Sequence, residues 1–368
     1  MKKLTRSILD FPSFVSRACG RLSPLLRVLA ACLAVTFILS AKMVVARTCP
    51  KLLMFDGVNI RTELNPAQAR YWGKTVGIQG FFLNNIMADW QQDVGDSPYD
   101  GVWKQAREFQ KLYSEYGVQD NFIKVAIWKR HNWRDMQANH AVVTNFFQAA
   151  ELARYAGFQG IALDLEPYVP IWGGGANPMS LSSLVYRVGH SIGTAMRKAY
   201  PSMTLVLMQD AFHYAQLHEG YHGGYGLAVP FLKGLLSAHF ARVIFATERS
   251  YRTPPWKMPQ LLANEKEEDS RILKNEMVGS SQTSVAPGIW PLGFSYQNKN
   301  ARMSPRQFLQ ALRADYASNP EFVWIYGFGS AWQTNGPYGK GPVVGDFSAY
   351  TNAIHEMEKS CSSQTPGL

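Results

Sequence analysis

Gly157-Phe158-Gln159-Gly160-Ile161-Ala162-Leu163-Asp164-Leu165-Glu166-Pro167-Tyr168 decides how this chain folds. A helical pattern stops at Gly157, a short apolar run follows, and two carboxylates stand at its end. Seven further apolar runs of that kind occur along the chain. They are Leu52–Asn59, Val76–Asn84, Phe122–Trp128, Thr204–Gln209, Arg242–Thr247, Ile289–Tyr296 and Phe322–Phe328. None alternates clearly, as expected of strands buried on both faces. With Gly160–Leu165 as the fourth, they predict eight parallel strands.

Helical patterns separate the runs. Val102–Tyr116 aligns Trp103, Ala106, Phe109 and Tyr113 and stops at Gly117. Asn139 is read as the cap of the helix carrying Val142, Val143, Phe146, Ala150 and Ala153. Ser304-Pro305-Arg306-Gln307 supplies a cap, a first-turn proline and a reciprocal glutamine. Phe347, Tyr350, Ile354 and Met357 repeat at helical spacing. The fold class is therefore α/β, a single (β/α)8 TIM barrel over residues 47–368. Helix-to-strand turns are short, whereas loops such as Asn85–Gly101, Pro167–Ser180, Ala211–Gly226, Glu248–Leu261 and Ser330–Gly345 are long. Barrels build their sites on that second face.

Residues 1–46 are set apart from the barrel. Six Lys/Arg precede an uncharged apolar run, Val28–Ala41, shorter than the ~20 residues that span a bilayer. This is expected to be a signal peptide cut after Ala46 or Ala41, with an uncleaved inner-membrane anchor as the alternative. Leu29-Ala30-Ala31-Cys32 looks like a lipobox, but most of the apolar run follows its cysteine. The leader holds seven Lys/Arg and one Asp, so the net +10 falls to +4 without it. Nucleic acid is accordingly not an expected partner. The expectation is a periplasmic or secreted monomer without stable membrane insertion after cleavage. Cys49 and Cys361 bracket the mature chain and, in an oxidising compartment, would staple the barrel's two ends.

Paired carboxylates at a strand end suit glycosidic cleavage. One protonates the leaving oxygen, and a negative partner faces the oxocarbenium-like centre. Alternation sets Asp164 and Glu166 on one side, and their proximity would raise at least one pKa. A structural couple neutralised by ion pairing is the bland alternative. Asp210 after strand five and Glu248 after strand six are candidates for the second catalytic carboxylate. Asp56, Asn84, Trp128, Arg130, Gln209, Tyr296 and Trp332 are candidate substrate contacts at other strand ends or in the loops beyond them. With 13% aromatic residues, the chain has rings to stack on sugars. His213, His218 and His222 share an irregular loop whose spacing suggests no metal; neither metal nor cofactor is expected. Gly339-Lys340-Gly341 lacks Walker spacing, no nucleophile elbow occurs, and Glu265–Asp269 reads as a solvated helix face.

The fourth-strand segment resembles barrel glycoside hydrolases, most closely the chitinase and endo-N-acetylglucosaminidase group, whose motif is D-G-x-D-x-D-x-E. Gly160, Asp164 and Glu166 match it, while Gln159 and Ala162 stand where its first two aspartates would be. The resemblance implies Glu166 as general acid/base and Asp164 as orienter of a substrate acetamido group. Glu166-Pro167 is also similar to the Asn-Glu-Pro motif of the large retaining clan. Here Leu165 replaces the Asn, and Ser295-Tyr296-Gln297 lacks that clan's nucleophile. The function expected is a polysaccharide hydrolase or transglycosylase acting on an exopolysaccharide or cell-wall glycan. Alternatives are a non-catalytic carbohydrate-binding barrel and a metal-dependent deacetylase.

Overall fold

Lys51–Phe55 (β1) is apolar at every position after its lysine, and it pairs in parallel with Phe322–Tyr326 (β8), the last strand of the chain. The structure is a computed structural model. It describes residues 49–55, 58–61, 63–87, 89–94, 101–127, 129–166, 171–172, 178–208, 226–273, 282–293, 302–327 and 348–363. Residues 1–46, read as a leader, lie outside the described residues. Between β1 and β8 run Gly80–Leu83 (β2), Phe122–Val125 (β3), Gly160–Asp164 (β4), Thr204–Met208 (β5), Arg242–Thr247 (β6) and Gln282–Ile289 (β7). All eight pair in chain order and close on themselves.

One helix follows each strand. They are Pro66–Arg70 (α1, continued by a π-helical turn over Tyr71–Val76), Gly101–Ser114 (α2), Met136–Ala156 (α3), Ser182–Ala199 (α4), Ala228–Leu236 (α5), Met258–Leu273 (α6), Pro305–Ala317 (α7) and Ser348–Ser363 (α8). The fold is the (β/α)8 barrel that the alternating pattern predicts. Among the described residues no helix is long and apolar enough to cross a membrane.

Strand ends differ from the sequence reading at the mouth and at the start of β2, where the predicted Val76 lies in the helical turn and the strand begins at Gly80. The apolar runs outlast the hydrogen-bonded ladder, so β1 stops at Phe55, β3 at Val125 and β8 at Tyr326. The seventh strand is a larger correction, since Gln282–Ile289 lies almost wholly before the predicted Ile289–Tyr296. Trp290, Pro291, Leu292 and Gly293 form a turn instead, in which the Gly293 N–H donates to the Trp290 carbonyl at 3.3 Å. The bulky apolar run was a turn over the rim, and the strand is built from smaller, more polar residues.

Helix ends follow local chemistry. Gly157 ends α3 with φ +84°, its N–H bonded to the Ala153 and Arg154 carbonyls. The cap of that helix is Asp135, not Asn139; its Oδ1 accepts from Gln137 and Ala138 N–H at 2.9 and 3.0 Å. Asn139 is buried one turn later and donates from Nδ2 to the Trp133 carbonyl, 2.8 Å away. Ser304 and Gln307 form the predicted reciprocal box at the start of α7.

The barrel interior is filled unevenly. Phe55, Phe82, Phe122, Phe322 and Trp324 come from β1, β2, β3 and β8, whereas β4, β6 and β7 contribute Ala162, Ala246 and Ala286. Ring centroids of Phe82 and Phe122, and of Phe122 and Phe322, are each 5.7 Å apart. Large residues facing small ones keep the core dense. Gly160 lies where a Cβ would run into the Thr204 carbonyl of β5. The next inward position on β3 after Phe122 is Lys124, in register with Ala162.

The two ends of the barrel are joined covalently by a Cys49–Cys361 disulfide, with Cα atoms 5.8 Å apart. Gln79 adds a polar tie, accepting from the Leu52 N–H at 2.6 Å and donating to Glu358 of α8 at 2.8 Å. Replacing Cys361 by Ser is expected to lower unfolding free energy by about 2–5 kcal/mol, measured by denaturant titration of oxidised wild type against the variant. An unchanged midpoint would show that the crosslink contributes nothing.

Helix α7 fully buries Asp315, whose two carboxylate oxygens have no hydrogen-bond partner among the described residues. Burial pushes its pKa well above the ordinary range. The folded state then holds a proton that the unfolded chain releases near pH ~4, so stability falls as pH rises above that value. Asp315→Asn is expected to gain stability over wild type as pH goes from about 4 to about 7, with melting curves as the readout. Parallel curves would contradict it.

Candidate active site

At the mouth of the barrel, β4 ends on Asp164, whose side chain points inward and is buried. Its Oδ2 lies 2.8 Å from Lys124 Nζ, and each side chain is only 4% exposed. The ammonium also sits over the Phe55 ring, 4.9 Å from its centroid. Asp164 Oδ1 accepts the Glu166 N–H at 3.1 Å. Asp164 thus carries a cation on one oxygen and the Glu166 backbone on the other. Ala162 makes this possible, since its methyl leaves room beside Lys124 for the ammonium to reach across.

Glu166 follows the strand by two residues and is half-buried. Leu165 between them is buried, and its carbonyl accepts from Trp172 Nε1 at 3.0 Å. Trp172 is itself fixed among Trp90, Trp133 and Phe231. The backbone at Glu166 is therefore held on one side by Asp164 and on the other by a packed tryptophan cluster.

Glu248 stands one residue beyond β6 and is half-buried. The residues around it are anchored beneath. The Thr247 hydroxyl donates to Glu265 Oε1 at 2.8 Å, and Arg249 pairs with the same oxygen at 3.5 Å. Glu265 and Asp269 are buried, against the reading of Glu265–Asp269 as a solvated face, while Lys266 and Glu267 between them are exposed. Thr247 and Arg249 draw the Glu265 carboxylate inward, so burial comes with partners.

Tyr251, in the turn Arg249–Arg252, brings the two halves together. Its pKa is raised well above the ordinary value, first by burial, then by Glu248, Tyr326, Asp164 and Glu166. The acidic groups after β4 and β6 thus add to burial in keeping this phenol neutral. Rings line this region. Tyr251 lies 5.5 Å from Trp324, 6.0 Å from Trp290 and parallel to Tyr326 at 6.4 Å. Tyr326 in turn stacks on Phe55 at 5.0 Å and meets Trp290 edge-on at 4.9 Å.

Asn84 is half-buried just past β2, and Arg130 is exposed in the loop after β3, its carbonyl accepting from Gln91 Nε2 at 2.9 Å. Asp56, Trp128, Gln209, Asp210, Tyr296 and Trp332 lie outside the described residues, as do His213, His218 and His222. Among the described residues no group of three His, Cys, Asp or Glu side chains is arranged to hold a metal. Sequence reasoning missed Lys124, Tyr251, Trp290 and Tyr326. Lys124 had a signal, because strand parity places it inward with Phe122. Tyr251 sits in Arg-Ser-Tyr-Arg and has none.

No family model matches the chain, and no curated protein matches it. Solved structures do. The chain is similar in structure to barrel glycoside hydrolases. The catalytic domain of a chitinase from Pyrococcus furiosus matches with TM-score 0.49 and 11% identity, over 86% of this chain and 97% of that one. An endo-β-1,4-mannanase from Thermotoga petrophila gives 0.48 and 10%, over 88% and 78%. A 3-keto-D-glucoside 4-epimerase from E. coli gives 0.43 and 10%, over 84% and 99%. The likeness is of fold alone, so the chemistry of the site rests on its own residues.

Tyr251 is expected to stay a neutral phenol until the chain unfolds in alkali. Ultraviolet difference titration should give the same phenolate amplitude before unfolding for wild type and Tyr251→Phe. A smaller amplitude in the variant would mean that Tyr251 ionises in the folded protein.

Proposed function

We propose that this barrel is an exported glycosidase that cleaves a polysaccharide internally, with Glu166 as general acid/base. The observation that carries the reading is the placement of Glu166. It follows β4 half-buried, with its backbone N–H held by Asp164, and Glu248 stands half-buried one residue beyond β6. A half-buried carboxyl can approach a glycosidic oxygen and still exchange a proton. Glu248 is proposed as the anion for the oxocarbenium-like centre, or the base that activates water.

The surrounding surface suits a sugar. Trp290 and Tyr326 are half-buried at the rim and offer ring area beside the carboxylates. The Cys49–Cys361 crosslink fits an oxidising compartment, as expected for a periplasmic or secreted protein. An exopolysaccharide or cell-wall glycan is the substrate class that such a location offers.

The mature chain, incubated with a panel of glycans and assayed for new reducing ends, is expected to cleave at least one. Glu166→Gln should lower that rate on the order of a hundredfold to ten-thousandfold without lowering the melting temperature. Binding without cleavage would replace this reading by a carbohydrate-binding barrel. Cleavage surviving Glu166→Gln would remove Glu166 from the acid role.

A further inference from the structure

Asp164 is the residue whose placement least suits contact with a substrate. Its side chain is 4% exposed, Oδ2 is held by Lys124 and Oδ1 by the Glu166 N–H. Lys124 in turn is buried to the same extent, lies over Phe55, and stands in register with Ala162. A side chain larger than alanine at position 162 would enter the space beside the ammonium. The three residues therefore act together: a small one, a cation and an anion, ending on the backbone of Glu166.

We propose that Lys124 is a positioning residue that holds Asp164 as a fixed, buried anion, so that Asp164 orients Glu166 and does not bind the sugar. This rests on the hydrolase reading for its consequence, although the clamp itself does not. Two things follow. The site makes no demand through Asp164 for a 2-acetamido group, so a substrate bearing a 2-hydroxyl is handled equally well at that position. Glu166 also works beside a neutralised pair rather than beside a lone carboxylate. The other ionisable groups around Tyr251 are Glu248 and Tyr326.

The test compares Lys124→Met, Lys124→Arg, Asp164→Asn and the double variant Lys124→Met/Asp164→Asn in the full mature chain. Carbon-13 NMR of aspartate-labelled protein follows the Asp164 carboxyl, assigned by its loss in Asp164→Asn. Lys124→Met leaves that carboxyl buried without its cation and is expected to raise its midpoint by about one pH unit or more. Lys124→Arg should restore it. The double variant should also melt higher than either neutralised single variant, because it leaves neither charge unpaired in the barrel. Should Lys124→Met fail to fold, the melting temperatures of Asp164→Asn and the double variant still test the clamp, because the second change removes the lone ammonium.

An Asp164 midpoint unmoved in folded Lys124→Met, or a double variant no more stable than either single, overturns the clamp. On a cleaved glycan, Asp164→Asn should change kcat and leave KM alike for 2-acetamido and 2-hydroxyl substrates. A KM rise confined to 2-acetamido sugars would show that Asp164 touches them. If no glycan is cleaved the hydrolase reading fails, while the titration still decides the clamp.

Discussion

A buried ammonium and a buried carboxylate face each other inside the barrel, 2.8 Å apart, and the mouth is arranged around them. Neither charge is tolerable there alone, since removing one partner of such a pair typically costs on the order of 3–5 kcal/mol. The constraint propagates outward. It requires a small residue at Ala162, a ring at Phe55 to bed the ammonium, and a strand that stops where Asp164 can turn back to the Glu166 N–H. Phe122, two residues before Lys124, and Ala162, in register with it, belong to the same interior cluster.

From there the structure fixes the remaining groups from below. Trp172 ties the Leu165 carbonyl to a tryptophan cluster behind β4, and Glu265 ties Thr247 and Arg249 behind β6. Glu166 and Glu248 therefore each have a buried neighbour anchored one residue away. Rigid supports under half-buried acid groups are what positioned catalysis needs. Tyr251, pressed against Trp324 and influenced by both sides, marks where the two supports converge.

Much of this was legible in the sequence, for reasons that can be named. Short apolar runs recurring between amphipathic helices gave the barrel, and Gly157 and Ser304 gave their helix ends, because each is a local chemical signal. Glu166 stands out in the sequence because carboxylates rarely follow a buried strand. Errors arose where composition and geometry part. Ile289-Trp290-Pro291-Leu292 is apolar yet turns over the rim, and Glu265 is charged yet buried. Asn139 suits a cap, but Asp135 lies nearer the helix start. Lys124 was overlooked because its ion-pair partner is 40 residues away in the chain and adjacent only once the barrel closes.

The central claim is that a glycosidic oxygen is delivered to Glu166 while Asp164 stays with Lys124. A crystal structure of Glu166→Gln bound to an oligosaccharide cleaved by the wild type tests it most directly. The account predicts the scissile oxygen within hydrogen-bonding distance of residue 166, with the Lys124–Asp164 pair intact and no sugar atom on Asp164. A sugar seated away from residue 166, or bonded to Asp164 with Lys124 displaced, would contradict it.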